Sequence, residues 1–294
     1  MATQPFMTLS TQTNAFKCKR ILEVACGGGY QSLMLAKTML QKGGALVIGD
    51  ISSKMMELVQ SKFDDKELSS GYTDVAGNKY HITTEPLLPL GDHTFDIEEE
   101  IKKHTENESD RIVFGSQANN ESLPFKDESF DCYIANLSLQ LVDNHLNQLK
   151  EALRVCKSGS KFGFSVWGRE GHNNNYGILE GLLDKYGVGP KEKPARTNHH
   201  LGQDPAGMKK QMTELGFSNI KIWYEPMNIP YKDFEDYYQT FFEFPNSVIA
   251  LSKLNEDQRC QIKQDAKELF DNLMGENVLD PVCFEIMIII AEKK

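Results

Sequence analysis

The chain has 294 residues and a formal net charge of −10, with 42 Asp and Glu against 32 Lys and Arg. The acidic residues are spread along the sequence, and no Lys/Arg block indicates a nucleic-acid or anionic-membrane surface. No apolar run reaches the length of a membrane span. The 6 Cys are scattered without a CxxC pair, which argues against a disulfide framework or a metal site. We therefore expect a cytoplasmic protein that folds as one domain over residues 1–294.

Strands and helices alternate at the beginning of the chain. Residues 20–26 and 45–50 form apolar runs typical of buried strands. Helical patterns follow each of them, at 30–44 and 52–63, and the first helical pattern ends in two glycines. This order predicts a parallel sheet with right-handed crossover connections.

A polar segment, residues 64–111, then interrupts the alternation of strands and helices. We interpret it as an insertion that contains a short helix around 96–105. Its apolar string "ITTEPLLPL" (82–90) is expected to pack against the rest of the protein, whereas residues 91–110 are expected to be peripheral. The acidic part of this insertion is a candidate docking surface for a protein partner.

The alternating pattern resumes after the insertion and continues to the end of the sequence. A largely helical segment, 231–275, is expected to form a helical cap. The remaining predicted strands are 111–117, 129–136, 161–168, 220–225 and 283–293, and the predicted helices are 143–159 and 204–217.

Three consecutive glycines, Gly27, Gly28 and Gly29, directly follow the first predicted strand. A glycine turn there lets backbone N–H groups approach a ligand that side chains would exclude. Ligands of open parallel sheets bind beyond the carboxyl ends of the strands. Asp50 ends the second strand, where a carboxylate can accept hydrogen bonds from both hydroxyls of a ribose. The pattern therefore favours a nucleotide-like site, although a purely structural turn is an alternative.

The turn does not match the other common nucleotide motifs. A dinucleotide fingerprint requires G-x-G-x-x-G, and Ser32 occupies the position of its third glycine. The GK[ST] ending of a phosphate-binding P-loop is also missing. A nicotinamide-dependent oxidoreductase is thus a distant alternative.

Four segments occur in an order that is typical of one enzyme family. They are "ILEVACGGG" (21–29), "GDISSKMMELV" (49–59), "SLPFKDESFD" (122–131) and "LKEALRVCKSGSKFGFSVWG" (149–168). Together they resemble the class I S-adenosylmethionine-dependent methyltransferase family, and most of all its small-molecule branch, which includes ubiquinone- and menaquinone-pathway methyltransferases. The resemblance implies a three-layer, Rossmann-like α/β sandwich whose seven-stranded, mostly parallel sheet has an antiparallel last strand, with S-adenosylmethionine as cofactor.

The resemblance also implies a set of cofactor-binding residues. The glycine turn would face the methionyl part, with Glu23 near its amino group, and Asp50 would hold the ribose. Gln117 replaces the acid that often binds the adenine. Incidental burial of Glu23 and helix capping by Asp50 are the structural alternatives. The full set is Glu23, Ala25, Gly27, Gly28, Gly29, Asp50, Ile51, Gln117, Ala118, Asn136 and Gln140.

The function implied is in-line methyl transfer to a small-molecule acceptor. Because the leaving group belongs to the cofactor, positioning can suffice without a side-chain nucleophile, and we identify no catalytic residue. The acceptor pocket is expected between the ends of the fourth and fifth strands, Trp167 and the helical cap.

A catalytically idle relative that binds partners, or serves as a structural subunit of a larger assembly, is the alternative. Members of the family usually carry a helical cover ahead of the glycine motif, whereas about twenty residues of this sequence precede it. The 64–111 insertion would then replace that cover or form a docking surface.

Overall fold

The computed structural model describes most of the chain. Within the predicted insertion, residues 65–94 and 105–110, and with them the string 82–90, lie outside the described residues. The single-domain interpretation therefore stays a prediction, and so does the role of the insertion. The described ranges are 3–64, 95–104, 111–169, 172, 174–189, 198–228, 231–243, 245–273 and 283–294.

Seven strands of the described residues form one sheet. The strands are β1 (Arg20–Val24), β2 (Ala45–Asp50), β3 (Ile112–Gln117), β4 (Phe130–Ala135), β5 (Cys156–Trp167), β6 (Phe217–Asn228) and β7 (Cys283–Lys293). Their order in the sheet is β3-β2-β1-β4-β5-β7-β6. The pairs β1–β2, β1–β4, β2–β3 and β4–β5 are parallel.

The last strand, β7, runs against the direction of β5. Near the end of β7, Glu292 lies 3.7 Å from Lys161, which is in the first half of β5. Near the beginning of β7, the carbonyl of Glu285 accepts a 2.7 Å hydrogen bond from the N–H of Gly168, directly after β5. The predicted seven-stranded sheet with an antiparallel last strand is confirmed.

The described helices follow the predicted alternation with shifted ends. They are α1 (Thr3–Gln12), α2 (Tyr30–Thr38), α3 (Ser53–Asp64), α4 (Ile97–His104), α5 (His145–Val155), α6 (Asn174–Lys185), α7 (Pro205–Leu215), α8 (Phe234–Phe242), α9 (Pro245–Leu251) and α10 (Glu256–Leu273). None of these described helices is long and apolar enough to cross a membrane.

Local sequence explains where α7 begins and ends and where α5 ends. Asp204 caps α7 by accepting a 2.8 Å hydrogen bond from the Gly207 N–H, and Gly216 ends it with φ of 110°. Helix α5 was predicted to extend to residue 159 but ends at Val155. Its C-cap residue, Cys156, already has extended backbone angles and begins β5.

The helix α1 was not predicted, because its Thr- and Gln-rich sequence lacks an acidic residue in the first turn. It nevertheless buries Phe6 and Leu9 completely. Its end approaches β5 so closely that a Cβ on Gly163 would lie 3.0 Å from Cγ2 of Thr13. The glycine in the strand therefore makes room for the helix.

The chain separates into two compact units. The first unit comprises residues 2–166, 197–223 and 287–294. Its core is the apolar sheet β1–β2–β4, and Tyr133, Phe162 and Phe164 are among its largest fully buried side chains.

The segment around α4 packs against the body of the first unit. Ile97 is buried, and the ring of Phe95 lies 5.6 Å from that of Phe114 in β3. Arg20, at the beginning of β1, binds both carboxylate oxygens of Glu98. Residues 95–98 therefore pack against the first unit, and the expectation that residues 91–110 lie away from the acceptor site stays a prediction.

The second unit comprises residues 167–196 and 224–286. Its aromatic core brings the ring of Tyr237 within 5.0 Å of Phe270 and 5.1 Å of Phe241. An ion pair joins Lys185 of α6 to Asp265 of α10. The helices of the segment 231–275 belong to this unit, and their capping role stays a prediction.

Candidate functional site

The sheet register brings the predicted site residues to one edge of the first unit. Val24, the last residue of β1, pairs with Gly49 of β2 and with Ala135, the last residue of β4. Asp50 pairs with Gln117 at the end of β3. The carboxyl ends of all four strands therefore meet, as the position of a ligand site in an open parallel sheet requires.

The turn after β1 is built from left-handed backbone conformations. Ala25, Gly27 and Gly29 have φ of 52°, 54° and 77°. A Cβ on Gly29 would lie 2.8 Å from Cγ2 of Val59, so helix α3 packs directly on this glycine. A Cβ on Gly27 would meet nothing within 4 Å, which leaves open space beside the turn.

Asp50 connects the turn to the end of β2 and is 8% exposed. Its Oδ2 accepts a 3.0 Å hydrogen bond from the Gly27 N–H, and its Oδ1 accepts one of 2.9 Å from the Ser52 N–H. An ionised carboxylate has about four acceptor positions. About two of them therefore remain for a ligand.

The end of β3 is tied to the residue that follows β2. Gln117 donates from Nε2 to the carbonyl of Ile51 over 2.9 Å, so its Oε1 is the atom left to accept. Ile51 is 59% exposed, which provides apolar surface for a flat ring. Ala118 is fully buried and donates its N–H to the carbonyl of Asp50.

Glu23 lies inside β1 and is 1% exposed. Burial raises the pKa of this carboxyl to about 8, and the Ser32 hydroxyl acts more weakly in the opposite direction. Its Oε2 has no hydrogen-bond partner in the part of the chain that the structure describes. A buried carboxyl without a full set of partners is costly, which indicates a role beyond packing.

Asn136, directly after β4, is fixed by a residue that the sequence analysis missed. Ser165 of β5 donates to Oδ1 of Asn136 over 2.6 Å and accepts from the Leu137 N–H over 2.8 Å. Asn136 also donates to Oε1 of Gln31, the second residue of α2, over 3.4 Å. The sequence contained one signal that could have identified Ser165, which is a hydroxyl within the otherwise mostly apolar string "KFGFSVWG". A buried hydroxyl usually has a hydrogen-bond partner.

Gln140 occupies the next turn and is buried. Its Nε2 donates to the carbonyl of Leu137 over 2.8 Å, and its Oε1 has no hydrogen-bond partner among the described residues. Leu137 itself has a φ of 53°, an unfavourable value for a bulky residue. Strained backbone and an unsatisfied amide thus lie together, as at many ligand sites.

Comparisons with known proteins indicate the family of the chain. The model of the methyltransferase domain family matches residues 97–164, from α4 into β5. Uncharacterized protein MJ1123 of Methanocaldococcus jannaschii is 30% identical over 190 residues, which cover 58% of this chain and 83% of that protein. The chain belongs to the class I S-adenosylmethionine-dependent methyltransferase family. The cofactor of this family is S-adenosylmethionine, as the resemblance implied.

Two further similarities connect this chain to known proteins. Over 84 residues it is 33% identical to the mitochondrial 2-methoxy-6-polyprenyl-1,4-benzoquinol methylase of Dictyostelium discoideum, but this match covers 26% of the chain and 27% of that protein. The crystal structure of MccD protein has a TM-score of 0.50 and 13% identity, with 99% of this chain and 96% of that chain covered. The latter similarity concerns the fold alone.

The site residues suit the chemical parts of S-adenosylmethionine. The open space at Gly27 accommodates a ligand close to the backbone. The remaining acceptor positions of Asp50 match two ribose hydroxyls, and Gln117 is hydrogen-bonded through Nε2 to the backbone of exposed Ile51. A cationic amino group matches the unsatisfied Oε2 of Glu23.

Proposed function

We propose that this methyltransferase transfers a methyl group from S-adenosylmethionine to a small-molecule acceptor by in-line displacement. The observation that carries the proposal is the meeting of Gly27, Asp50 and Gln117 at the carboxyl edge of the sheet. A carboxylate and an amide acceptor occur there together, next to the open space beside the glycine turn.

Each part of the proposed cofactor site has its own function. The turn at Gly27 and Gly29 lies against the methionyl part, and Asp50 accepts from the two ribose hydroxyls. Ile51 packs on the adenine, whose amino group donates to Oε1 of Gln117. The hydrogen bonds from Gly27 and Ser52 hold the Asp50 carboxylate in one orientation, which reduces the entropy lost on binding.

Glu23 recognises the amino group of the methionyl part in this proposal. With a pKa of about 8, its carboxyl holds a proton at neutral pH. An ammonium group nearby favours the carboxylate. Binding at neutral pH is therefore expected to release a proton from Glu23.

The residues of the chain contribute positioning to the reaction. S-adenosylmethionine supplies a methyl group that already carries its leaving group, so alignment with the acceptor is the main requirement. Such alignment can contribute about 7–11 kcal/mol. Asn136, locked by Ser165, and the neighbouring Gln140 are the side chains that we place toward the acceptor.

Quinol-like aromatic molecules are the first acceptors to test. The basis is the local similarity to a benzoquinol methylase, which involves about a quarter of each chain. A hydroxylated ring also offers donors for the unsatisfied Oε1 of Gln140.

The experiment has two stages. Calorimetry with S-adenosylmethionine and S-adenosylhomocysteine measures cofactor binding to the purified chain, and S-adenosylhomocysteine formation is then measured with a panel of quinols, phenols and amines. We expect binding and turnover with one chemical class. A folded protein that binds neither compound contradicts the cofactor site, whereas binding without turnover favours the non-catalytic alternative.

A further inference from the structure

A lysine side chain lies against the glycine turn of the candidate cofactor site. Lys62, in the last turn of α3, is half-buried. Its Nζ lies 3.6 Å from the position that a Cβ on Gly28 would occupy. Apart from the residues next to Gly28 in the chain, no other described atom lies within 4 Å of that position. The lysine side chain thus connects the end of α3 to the middle glycine of the turn.

An aromatic ring, and not a carboxylate, holds the ammonium group of Lys62. Its Nζ lies 4.4 Å from the ring centroid of Tyr30, the first residue of α2. The face of an aromatic ring attracts a cation but does not neutralise its charge. Within the part of the chain that the structure describes, the Lys62 ammonium has no ion pair and no hydrogen bond. A positive charge is therefore available beside the turn.

The beginning of α2 adds positive potential at the same place. Its N-cap residue, Gly29, provides no side-chain cap, and the first turn of the helix contains no acidic residue. Backbone N–H groups at a helix N-terminus carry a partial positive charge. This potential acts in the same direction as the charge of Lys62.

The residues assigned to the cofactor lack a basic side chain. Glu23 and Asp50 are the charged members of the predicted set, and both are acidic. S-adenosylmethionine carries a carboxylate on the same carbon as the amino group that we assign to Glu23. Asp50 repels this carboxylate, and so does Glu23 once it has lost its proton. A cation near the turn is needed to offset this repulsion.

We propose that Lys62 binds the carboxylate of the methionyl part of S-adenosylmethionine. This inference rests on the proposed function, which places the methionyl part against Gly27 and Gly29, on either side of Gly28. Because Gly28 has no Cβ, the ammonium group can lie close to the backbone of the turn. The charge-assisted hydrogen bond that it donates to a carboxylate is stronger than a bond between neutral groups.

Lys62 and Glu23 together make the site specific for a complete amino-acid end. Glu23 takes the amino group and Lys62 the carboxylate, so the methionyl part is bound as a zwitterion. The contact with Tyr30 keeps the ammonium beside the turn before the cofactor arrives, which reduces the entropy lost on binding. A cofactor analogue that lacks the carboxylate is therefore expected to bind more weakly than S-adenosylmethionine.

Calorimetry with two ligands tests the proposal. They are S-adenosylmethionine and decarboxylated S-adenosylmethionine, in which a hydrogen replaces the carboxylate. The wild type is compared with Lys62→Gln and with the matched control Lys54→Gln, which removes the same charge from the first turn of the same helix. We expect Lys62→Gln to weaken S-adenosylmethionine binding about tenfold or more and not to weaken the decarboxylated ligand, which has no group for Lys62. Lys54→Gln is expected to bind both ligands as the wild type does.

The variant Lys62→Arg provides a second comparison. Arginine keeps the positive charge and pairs well with carboxylates, so this variant is expected to recover most of the affinity for S-adenosylmethionine. Urea unfolding of all three variants is measured in parallel, so that a loss of affinity is compared only among folded proteins.

The outcomes separate this inference from the proposed function. Unchanged affinity in Lys62→Gln, an equal loss for both ligands, or an equal loss in Lys54→Gln overturns the role of Lys62 and leaves the cofactor site in place. A folded wild type that binds neither ligand instead contradicts the cofactor site itself, and this inference with it.

Discussion

The backbone N–H of Gly27 donates to Oδ2 of Asp50 over 3.0 Å, so the glycine turn after β1 and the end of β2 are directly connected. The carboxylate that we assign to the ribose thus also holds the turn that we assign to the methionyl part. Because the Ser52 N–H donates to its other oxygen, Asp50 is oriented from both sides. A substitution at Asp50 is expected to disturb both halves of the cofactor site.

Asp50→Ala is expected to weaken S-adenosylmethionine binding by about 2 kcal/mol, since it removes charge-assisted hydrogen bonds to the ribose. Asp50→Asn retains the shape but replaces one acceptor oxygen with a donor group, so it is expected to lose a similar amount. Calorimetric titration measures both. Asp64→Asn is the control, because the exposed Asp64 carboxylate at the end of α3 binds Gln60 and lies outside the predicted site. Unchanged affinity in both Asp50 variants would place the ribose elsewhere.

Alanine at Gly27 and at Gly29 is expected to have different effects. Both residues have positive φ, where alanine costs about 1–2 kcal/mol of stability. Gly29→Ala also drives its Cβ into Val59, which adds a loss of about 1–3 kcal/mol. Gly27→Ala meets no neighbour and instead places its methyl group in the open space that we assign to the ligand. Urea unfolding should therefore show the larger loss for Gly29→Ala, and calorimetry the larger loss of affinity for Gly27→Ala.

The predictions for Gly27→Ala and Gly29→Ala can each be tested further. If Gly27→Ala binds the cofactor as tightly as the wild type, the space beside the turn is not the methionyl site. Gly29→Ala should also cost less stability in a Val59→Ala background than in the wild type. This result would confirm that the close contact with Val59 causes the loss.

Ser165→Ala is expected to reduce both stability and cofactor affinity. It removes two hydrogen bonds at the end of β4, one to Asn136 and one from Leu137, for a loss of about 2 kcal/mol of unfolding free energy. Ser160→Ala on the same strand removes one bond, to the Phe130 carbonyl, and is expected to cost about 1 kcal/mol with no change in affinity. Equal affinities in the two variants would show that Asn136 does not contribute to the site.

The sheet and the meeting of its strand ends at the candidate site were predictable because both depend on regular patterns. Buried parallel strands are apolar runs, and the residues that end them must meet at one edge. The sequence positions of Asp50 and Gln117 were therefore sufficient to place them together, as the register shows. The side-chain contacts that orient them were not predictable, because they depend on residues far apart in the chain.

Helix α1 and Ser165 illustrate what the sequence pattern does not contain. The helix α1 has weak local preference, and burial of Phe6 and Leu9 against the rest of the first unit stabilises it instead. In the sequence, Ser165 is a single polar residue in an apolar strand. Only the fold shows that its hydroxyl donates to Asn136. In both cases the decisive contact is tertiary.

The buried carboxyl of Glu23 makes the stability of the protein depend on pH. Its pKa is about 8 in the folded chain, above the ordinary value of 4.5, so the folded state holds this proton more tightly than the unfolded state does. The contribution of Glu23 is therefore most favourable below pH 4.5 and is lost progressively as the pH rises to about 8. Above that range, folding must bury a carboxylate.

Glu23→Gln removes this titration while retaining the size of the side chain. Urea unfolding of both proteins from about pH 5 to about pH 8.5 should show that the wild type loses stability relative to the variant as the pH rises. Other titrating groups affect both proteins alike, so the difference between the two curves isolates Glu23. Adding S-adenosylmethionine should reduce this difference, because the ammonium group favours the ionised carboxyl. Parallel curves without cofactor would show that Glu23 is ionised in the folded chain, and an unchanged difference with cofactor would place the amino group away from Glu23.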